Sequence, residues 1–358
     1  MRRAKDRLIR RLPEKGLEKL LESLRNSSFV PKRNSSTPFV FAVDHCFAIK
    51  GQGTILTGTV LQGMVQINDT VEIPALKENR KVKSMQMFRQ PVEGAAQGDR
   101  LGICVTQFDP KLLERGLVCA PGYVPTVYAA VASVNKIRFF SGKVATKSKF
   151  HISLGHETLL AKVTFFNGAT PFDLSNTFQY QDELQQEGST GTCFLLIEFE
   201  RPVAVIPNCL LIGSKLDMDV HTSTCRLAFW GNLLLTYDMK NYTTAALPSL
   251  KIYKNKSKAG VIERAKNPSS LVVKNIFKKE TNLEVFTGMK VKLSTGEGGV
   301  IEGGFGQSGK ITVNIPGGLS DETYKAITAK KEEGRKPIQV TLDFKKFIYD
   351  PQKKMIQV

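Results

Sequence analysis

From residue 39 onward, apolar residues recur at every second position in short runs, and Gly or Pro interrupts the runs at short intervals. This constrains the fold more than any other feature. A period of two sets alternate side chains on one face of an extended strand, and no helix satisfies it. Runs at 39–43, 54–60, 69–73, 81–87 and 100–105 read as strands, one stopped by Pro74 and the group closed by Pro121-Gly122. Short strands with regular turns predict a small β-barrel. A second β region runs from about 124 to 237, with strands expected at 127–134, 149–154, 161–166, 193–199 and 225–230. Asn167-Gly168 reads as a hairpin turn. The polar, Gln-rich stretch 173–192 reads as a long surface loop.

Beyond about 238 the chain is more basic. Met289-Lys290-Val291-Lys292-Leu293 and Lys310-Ile311-Thr312-Val313-Asn314-Ile315 alternate cleanly. In each, the lysines (Lys290, Lys292 and Lys310) lie opposite the apolar face, which predicts a half-buried sheet with a basic outer face. Residues 320–336 read as a short helix or a mobile loop, and 340–344 as a returning strand. Ahead of the first barrel, Leu17, Leu20, Leu21 and Leu24 fall at i, i+3, i+4 and i+7, one stripe of an amphipathic helix that needs a partner. The expected fold is mostly β. Two tandem β-barrels (39–123 and 124–237) precede a basic C-terminal β domain (238–358), and a short helix and polar linker occupy 1–38.

The formal net charge is +18. Residues 1–35 carry 11 Lys/Arg against 4 Asp/Glu, and residues 239–358 carry 22 against 11, which leaves 18 against 18 between them. Basic surface concentrated at two ends points to a polyanion, most often a nucleic acid. The plainer alternative is a solvated charged surface with a nuclear signal. The six cysteines, Cys46, Cys104, Cys119, Cys193, Cys209 and Cys225, form no CxxC pair, and four scattered histidines supply no metal-ligand spacing. They read as buried thiols of a reducing compartment. No apolar run reaches the length of a membrane span, and the basic N-terminus is followed by no signal-peptide core. A cytoplasmic protein, with nuclear residence also open, is the expectation.

Three motifs invite chemistry. Gly304-Phe305-Gly306-Gln307-Ser308-Gly309-Lys310 matches GxxxxGK, but Ile311 follows where a phosphate loop needs Ser or Thr, and a strand pattern follows where it needs a helix. A glycine-rich hairpin explains it better, with Lys310 still able to meet a phosphate. Asp44-His45-Cys46 suggests a triad, yet neighbours on a strand face opposite ways, and no GxSxG elbow accompanies it. His45 is either an ordinary barrel residue or a binding group. Arg100, in the turn Gln97-Gly98-Asp99-Arg100, is either a surface cation or one aimed into a pocket. No set of residues qualifies as catalytic or metal-ligating.

Six blocks in order, Gly51-Gln52-Gly53-Thr54, Thr57-Gly58-Thr59-Val60, Gly63, Asp69-Thr70-Val71-Glu72-Ile73-Pro74, Val82-Lys83-Ser84-Met85 and Gly98-Asp99-Arg100, resemble the second domain of elongation-factor-Tu-like translational GTPases. Val43-Asp44-His45-Cys46-Phe47, the run from Gln97 through Asp109-Pro110-Lys111-Leu112 to Pro121, Phe150-His151-Ile152 with Gly155-His156-Glu157-Thr158, and Ile315-Pro316-Gly317-Gly318-Leu319 narrow the resemblance to the eukaryotic selenocysteine-specific elongation factors.

The resemblance implies β-barrels at 39–122 and 124–237 that hold selenocysteyl-tRNA for delivery to the ribosome. It also implies a fourth domain associated with the SECIS-binding protein and SECIS RNA. The family's aminoacyl pocket is attributed to an Asp-His pair and an Arg, which match Asp44, His45 and Arg100. Its intact members bind GTP and Mg²⁺ through an N-terminal GTPase domain. This chain shows no Walker A, switch or NKxD motif, and 12–21 looks like that domain's last helix. The expectation is therefore a chain with no cofactor of its own. Other open functions are a related initiation-factor or elongation-factor-Tu-type carrier, a basic RNA scaffold without tRNA specificity, and an NTPase using Gly304 to Lys310.

Overall fold

A computed structural model describes residues 14–185, 192–219, 224–306, 309–329, 337–352 and 355–357. The chain divides into two compact units, one ending at Tyr123 and the other starting at Val124.

In the first unit, helix α1 (Glu14–Ser27) precedes nine strands: β1 (Val40–Ile49), β2 (Gly53–Gln62), β3 (Met64–Gln66), β4 (Thr70–Ile73), β5 (Glu78–Met87), β6 (Gln90–Val92), β7 (Gly94–Ala96), β8 (Arg100–Val105) and β9 (Gly116–Cys119). The ladder β4-β9-β1-β2-β8-β5 returns to β4 and closes a six-stranded barrel, which leaves no exposed sheet edge within the ring. Inward residues fill it, among them Phe41, Val43, Leu56, Val60, Ile73, Met85, Ile103 and Val118. The stripe of α1 stays in solvent, with Leu17, Leu20, Leu21 and Leu24 between 46% and 60% exposed. The linker after α1 docks on the barrel. Arg33 pairs with Asp99 at 2.7 Å, and the Asn34 amide donates to Gln97 Oε1 at 2.6 Å.

The second unit holds β10 (Thr126–Ser133), β11 (Asn135–Lys136), β12 (Lys149–Leu154), β13 (Glu157–Gly168), β14 (Phe178–Gln181), β15 (Thr192–Ala204), β16 (Leu210–Ser214), β17 (Leu227–Tyr237) and the short α2 (Tyr242–Ala245). The ladder β12-β16-β17-β10-β15-β13 closes on β12 around Phe150, Phe165, Leu195, Ile197 and Phe229.

Then follow β18 (Ile252–Asn267), β19 (Ser270–Lys274), β20 (Lys290–Leu293), β21 (Gly298–Phe305), β22 (Lys310–Asn314), α3 (Asp321–Thr328), β23 (Gln339–Phe347) and β24 (Met355–Ile356). Here β18-β19-β22-β21-β20-β23 returns to β18, a third ring around Leu271, Val273, Phe286, Ile311, Val313 and Leu342. The sequence predicted only a half-buried sheet here. Pairing of β23 with both β18 and β20 is what closes it, and strand alternation alone carries no such information. Helix α3 settles the open reading of residues 320–328. Ser320 caps it by accepting from the Thr323 amide. The remainder of that predicted stretch, 330–336, lies outside the described residues.

Two expectations fail. Asn167-Gly168 is not a turn: both residues pair in β13, opposite Cys193 and Thr192. Gly168 is demanded by packing, since a Cβ there would lie 2.4 Å from the Phe178 ring. The stretch 173–192 is not simply a surface loop, because it carries β14, which pairs with β13 and, in parallel, with β18. Phe178 is fully buried there, with Phe166, Phe172 and Phe194 within 5.2 to 6.0 Å between ring centroids. One buried ring in a polar stretch was enough to anchor a strand. Residues 186–191 lie outside the described set.

Candidate functional site

The site is built on three neighbouring strands of the first barrel. Along β1, residues pair one-to-one with β2 from Phe41–Val60 to Val43–Gly58, and pairing then resumes at His45–Thr57. Asp44 is the extra residue, a β-bulge. Val43 lies in the core and Cys46 packs against it. The two residues between them, Asp44 and His45, therefore both stand on the outer side, Asp44 half-buried and His45 exposed. Strict alternation predicted opposite faces for this pair. The bulge overturns that, because the inserted residue shifts the parity of everything after it.

The turn before β8 presents the cation. Gly98 takes a positive φ of +90°, and Asp99 Oδ2 accepts from the Ala96 amide at 2.9 Å, so β8 begins at Arg100. Arg100 lies opposite Thr59 of β2, which in turn lies opposite Ala42 of β1. The side chains of Arg100 and Asp44 meet across that middle strand, with Arg100 Nη1 2.5 Å from Asp44 Oδ2 and 3.3 Å from Thr59 Oγ1. The Asp44 carboxylate thus orients Arg100, not His45. The Arg100 side chain remains 62% exposed and that of Asp44 30%, so the pair is worth about 0–1 kcal/mol and an arriving anion can share or take the cation. His45 contributes its carbonyl to Thr57 Oγ1 at 3.4 Å and forms no ion pair with Asp44.

Cys46 does not extend this group into a nucleophilic triad. Burial, with a smaller contribution from Asp109, pushes its thiol up to about 11, so it stays neutral at physiological pH. Burial likewise raises Cys193 to about 12 and Cys209 to about 11. Among the described residues no group of His, Cys, Asp or Glu is arranged to hold a metal ion, and no helix is long and apolar enough to cross a membrane.

The glycine-rich motif closes a hairpin: β21 ends at Phe305, which pairs with Lys310, and β22 follows directly. Gln307 and Ser308 lie outside the described residues. Lys290 and Lys292 are exposed on β20, between the buried Val291 and Leu293. Lys310 differs, since it is half-buried and held by Glu263 at 2.8 Å. Lys290 lies opposite Val300 and Lys310 opposite Phe305, so they sit toward different ends of β21.

Family models match three successive stretches: "Elongation factor Tu domain 2" over residues 53–120, "Selenocysteine-specific elongation factor, eukaryotes, 3rd domain" over 131–231 and "eEFSec C-terminal RIFT domain" over 248–353. The selenocysteine-specific elongation factor of Mus musculus is 46% identical, across 96% of this chain and 68% of the mouse protein. The chain belongs to the eukaryotic selenocysteine-specific elongation factors. Its role lies in translation, in the incorporation of selenocysteine. The factor of that name from Methanocaldococcus jannaschii is 26% identical over 83% of this chain and 60% of its own length. The crystal structure of elongation factor SelB from Methanococcus maripaludis shares the fold, with a TM-score of 0.64 at 22% identity, covering 93% of this chain and 67% of SelB. The same factor in complex with a GTP analogue gives the same score over 92% and 66%.

Proposed function

We propose that this chain is the tRNA-holding part of a selenocysteine-specific elongation factor, with Asp44, His45 and Arg100 receiving the aminoacyl group of selenocysteyl-tRNA. The observation that carries the reading is the bulge at Asp44, which sets acid, histidine and arginine on one outer face of the barrel. A selenol is far more acidic than a serine hydroxyl and is an anion at neutral pH. Arg100 favours that anion over a neutral hydroxyl through a charge-assisted hydrogen bond. Asp44 holds the guanidinium in place and neutralises it while the site is empty. His45, exposed beside them, is the further donor available to the selenolate.

Delivery to the ribosome follows from the family role. Association of the C-terminal ring with SECIS RNA and a SECIS-binding protein belongs to the proposal, with the exposed Lys290 and Lys292 as RNA-facing groups. Lys310 is occupied by Glu263 and is a weaker candidate. The GTP and Mg²⁺ chemistry of the family is assigned here to no described residue.

The test compares binding of selenocysteyl-tRNA and seryl-tRNA, at fixed salt, to the chain and to Arg100→Ala. A charge-assisted hydrogen bond contributes about 1.5–3 kcal/mol, so the variant should lose roughly 10- to 100-fold of the preference. Unchanged discrimination sinks the pocket. Equal binding of all aminoacyl-tRNAs by the unaltered chain would make it a basic scaffold instead.

A further inference from the structure

The linker between α1 and β1 is polar and largely exposed, yet it is tied to the first barrel at one place. Three residues close a cycle of hydrogen bonds there. The Asn34 amide donates to Gln97 Oε1 at 2.6 Å, the Gln97 amide to the Gly63 carbonyl at 3.0 Å, and the Gly63 amide to the Asn34 carbonyl at 3.2 Å. Gln97 Nε2 donates in turn to the Leu61 carbonyl at 3.1 Å. Gly63, at φ +70°, permits this approach, since a Cβ there would stand 2.4 Å from the Thr37 carbonyl oxygen and 2.7 Å from the Phe39 nitrogen. Asn34 also braces the linker itself, its Oδ1 accepting from the Ser36 amide at 3.2 Å and from the Ser36 hydroxyl at 2.8 Å.

That place is the turn that leads into Arg100. The Gly98 amide donates to the Val60 carbonyl at 2.9 Å, and the Asp99 carbonyl accepts from the Val60 amide at 2.9 Å, which seats the turn on β2. Asp99, the residue before Arg100, has both carboxylate oxygens engaged: Oδ2 accepts from the Ala96 amide at 2.9 Å and Oδ1 from Arg33 Nη1 at 2.7 Å. The Asp99 side chain is only 16% exposed, against 55% for Arg33. A carboxylate held on both oxygens does not swing toward the guanidinium next along the chain. Arg100 is thereby left to Asp44 and Thr59 on the neighbouring strands.

We infer that Arg33, reaching from the linker to Asp99, is a positioning residue for the aminoacyl pocket, fixing the 97–99 turn so that Arg100 is aimed across β2. Hydrogen bonds weaken steeply with misalignment, and a recognition group works when its supports hold it within about 0.5 Å of the productive geometry. The turn alone is a short exposed segment, and the linker gives it that support from a second direction. Arg33 acts through Asp99, 66 residues away in sequence, and through Asp99 on Arg100. The inference rests on the reading of Asp44, His45 and Arg100 as the pocket, and adds to them a residue from outside the barrel's strands.

The test is a double-mutant cycle on the full chain, at fixed salt and at a temperature where every variant is folded. The ratio of affinities for selenocysteyl-tRNA and seryl-tRNA is measured for the unaltered protein, Arg33→Ala, Arg33→Lys, Arg100→Ala and the double variant Arg33→Ala/Arg100→Ala. A partly exposed ion pair limits the effect, so Arg33→Ala should lose roughly 2- to 5-fold of the preference. Arg33→Lys, which keeps a cation on Asp99, should retain it. In the Arg100→Ala background the change at Arg33 should remove nothing further, because a residue that acts through another is silent once that other is gone. An unchanged ratio in Arg33→Ala overturns the inference while a loss in Arg100→Ala leaves the pocket standing. The same loss recurring in the Arg100→Ala background overturns it too, as does equal weakening of both tRNAs, which would make Arg33 a direct RNA contact. Unchanged discrimination in Arg100→Ala removes the pocket itself, and the role of Arg33 with it.

Discussion

Gly58→Ala tests the link between the barrel's packing and its pocket. Gly58 lies in β2 opposite Val43, one residue before the bulge that carries Asp44. A Cβ there would stand 1.9 Å from the Ala42 carbonyl oxygen, 2.9 Å from its carbon and 3.0 Å from Phe41 Cζ. The closest carbon–oxygen approaches between neighbouring strands are about 3.3 Å, so β1 and β2 would have to part locally by more than an ångström. The two closest of these atoms are backbone, and no rotamer change relieves them. Overpacking of this kind costs about 1–3 kcal/mol, and each strand hydrogen bond broken adds about 1 kcal/mol.

A loss of about 3 kcal/mol corresponds, for a unit of this size, to a fall in melting temperature on the order of 15 °C. The assay is a thermal melt of the full chain, followed by aminoacyl discrimination at a temperature where both proteins are folded. Discrimination should weaken as well, because the displaced segment carries Asp44 away from Arg100. Gly298→Ala, with nothing within 4 Å of its Cβ, serves as the control. A Gly58→Ala protein that melts within about 2 °C of the unaltered chain and discriminates as well would refute the argument that close β1–β2 contact holds the pocket.

Phe178→Ala should cost about 3–5 kcal/mol in denaturant unfolding, because the ring is wholly buried in an aromatic cluster; a loss under about 1 kcal/mol would mean that β14 does not anchor its region. Glu297 gives a pH-dependent case. Burial acts to raise its pKa but is outweighed by hydrogen bonds from Thr295, Thr323, its own backbone and Ser320, which hold it at about 2. Its folded value lies below its unfolded one, so its contribution is present above about pH 4.5 and is lost as pH falls toward 2. Discounted for solvent screening, that contribution is about 1 kcal/mol, and Glu297→Gln should flatten the acid limb of stability by that amount. An unaltered acid limb in the variant would count against it.

Much of the fold was legible because period-two alternation is a local signal. The strands around Leu56, Val82, Ile103 and Ile152 lie where the pattern put them. The failures share one cause. Asn167-Gly168 has turn chemistry, but Gly168 is required by the Phe178 ring, a contact between residues of two different strands. Phe178 itself sits among polar neighbours, and its burial depends on Phe166 and Phe194 from two other strands. The lysines of β18 alternate as visibly as those of β20, but the sequence could not show that Lys254 and Lys310 have carboxylate partners.

By itself the sequence determined the β architecture, the basic ends and, through its motifs, the family, and it named the three residues of the proposed pocket. Those properties reside in spacing and composition, which survive without coordinates. Tertiary structure alone decided how Asp44 and His45 come to one side. A single unpaired residue resets the parity of a strand, and pairing is a property of two strands, not of one. It also decided that Asp44 serves Arg100, and that Lys254 and Lys310 meet carboxylates, because a charge is neutralised by what lies beside it in space.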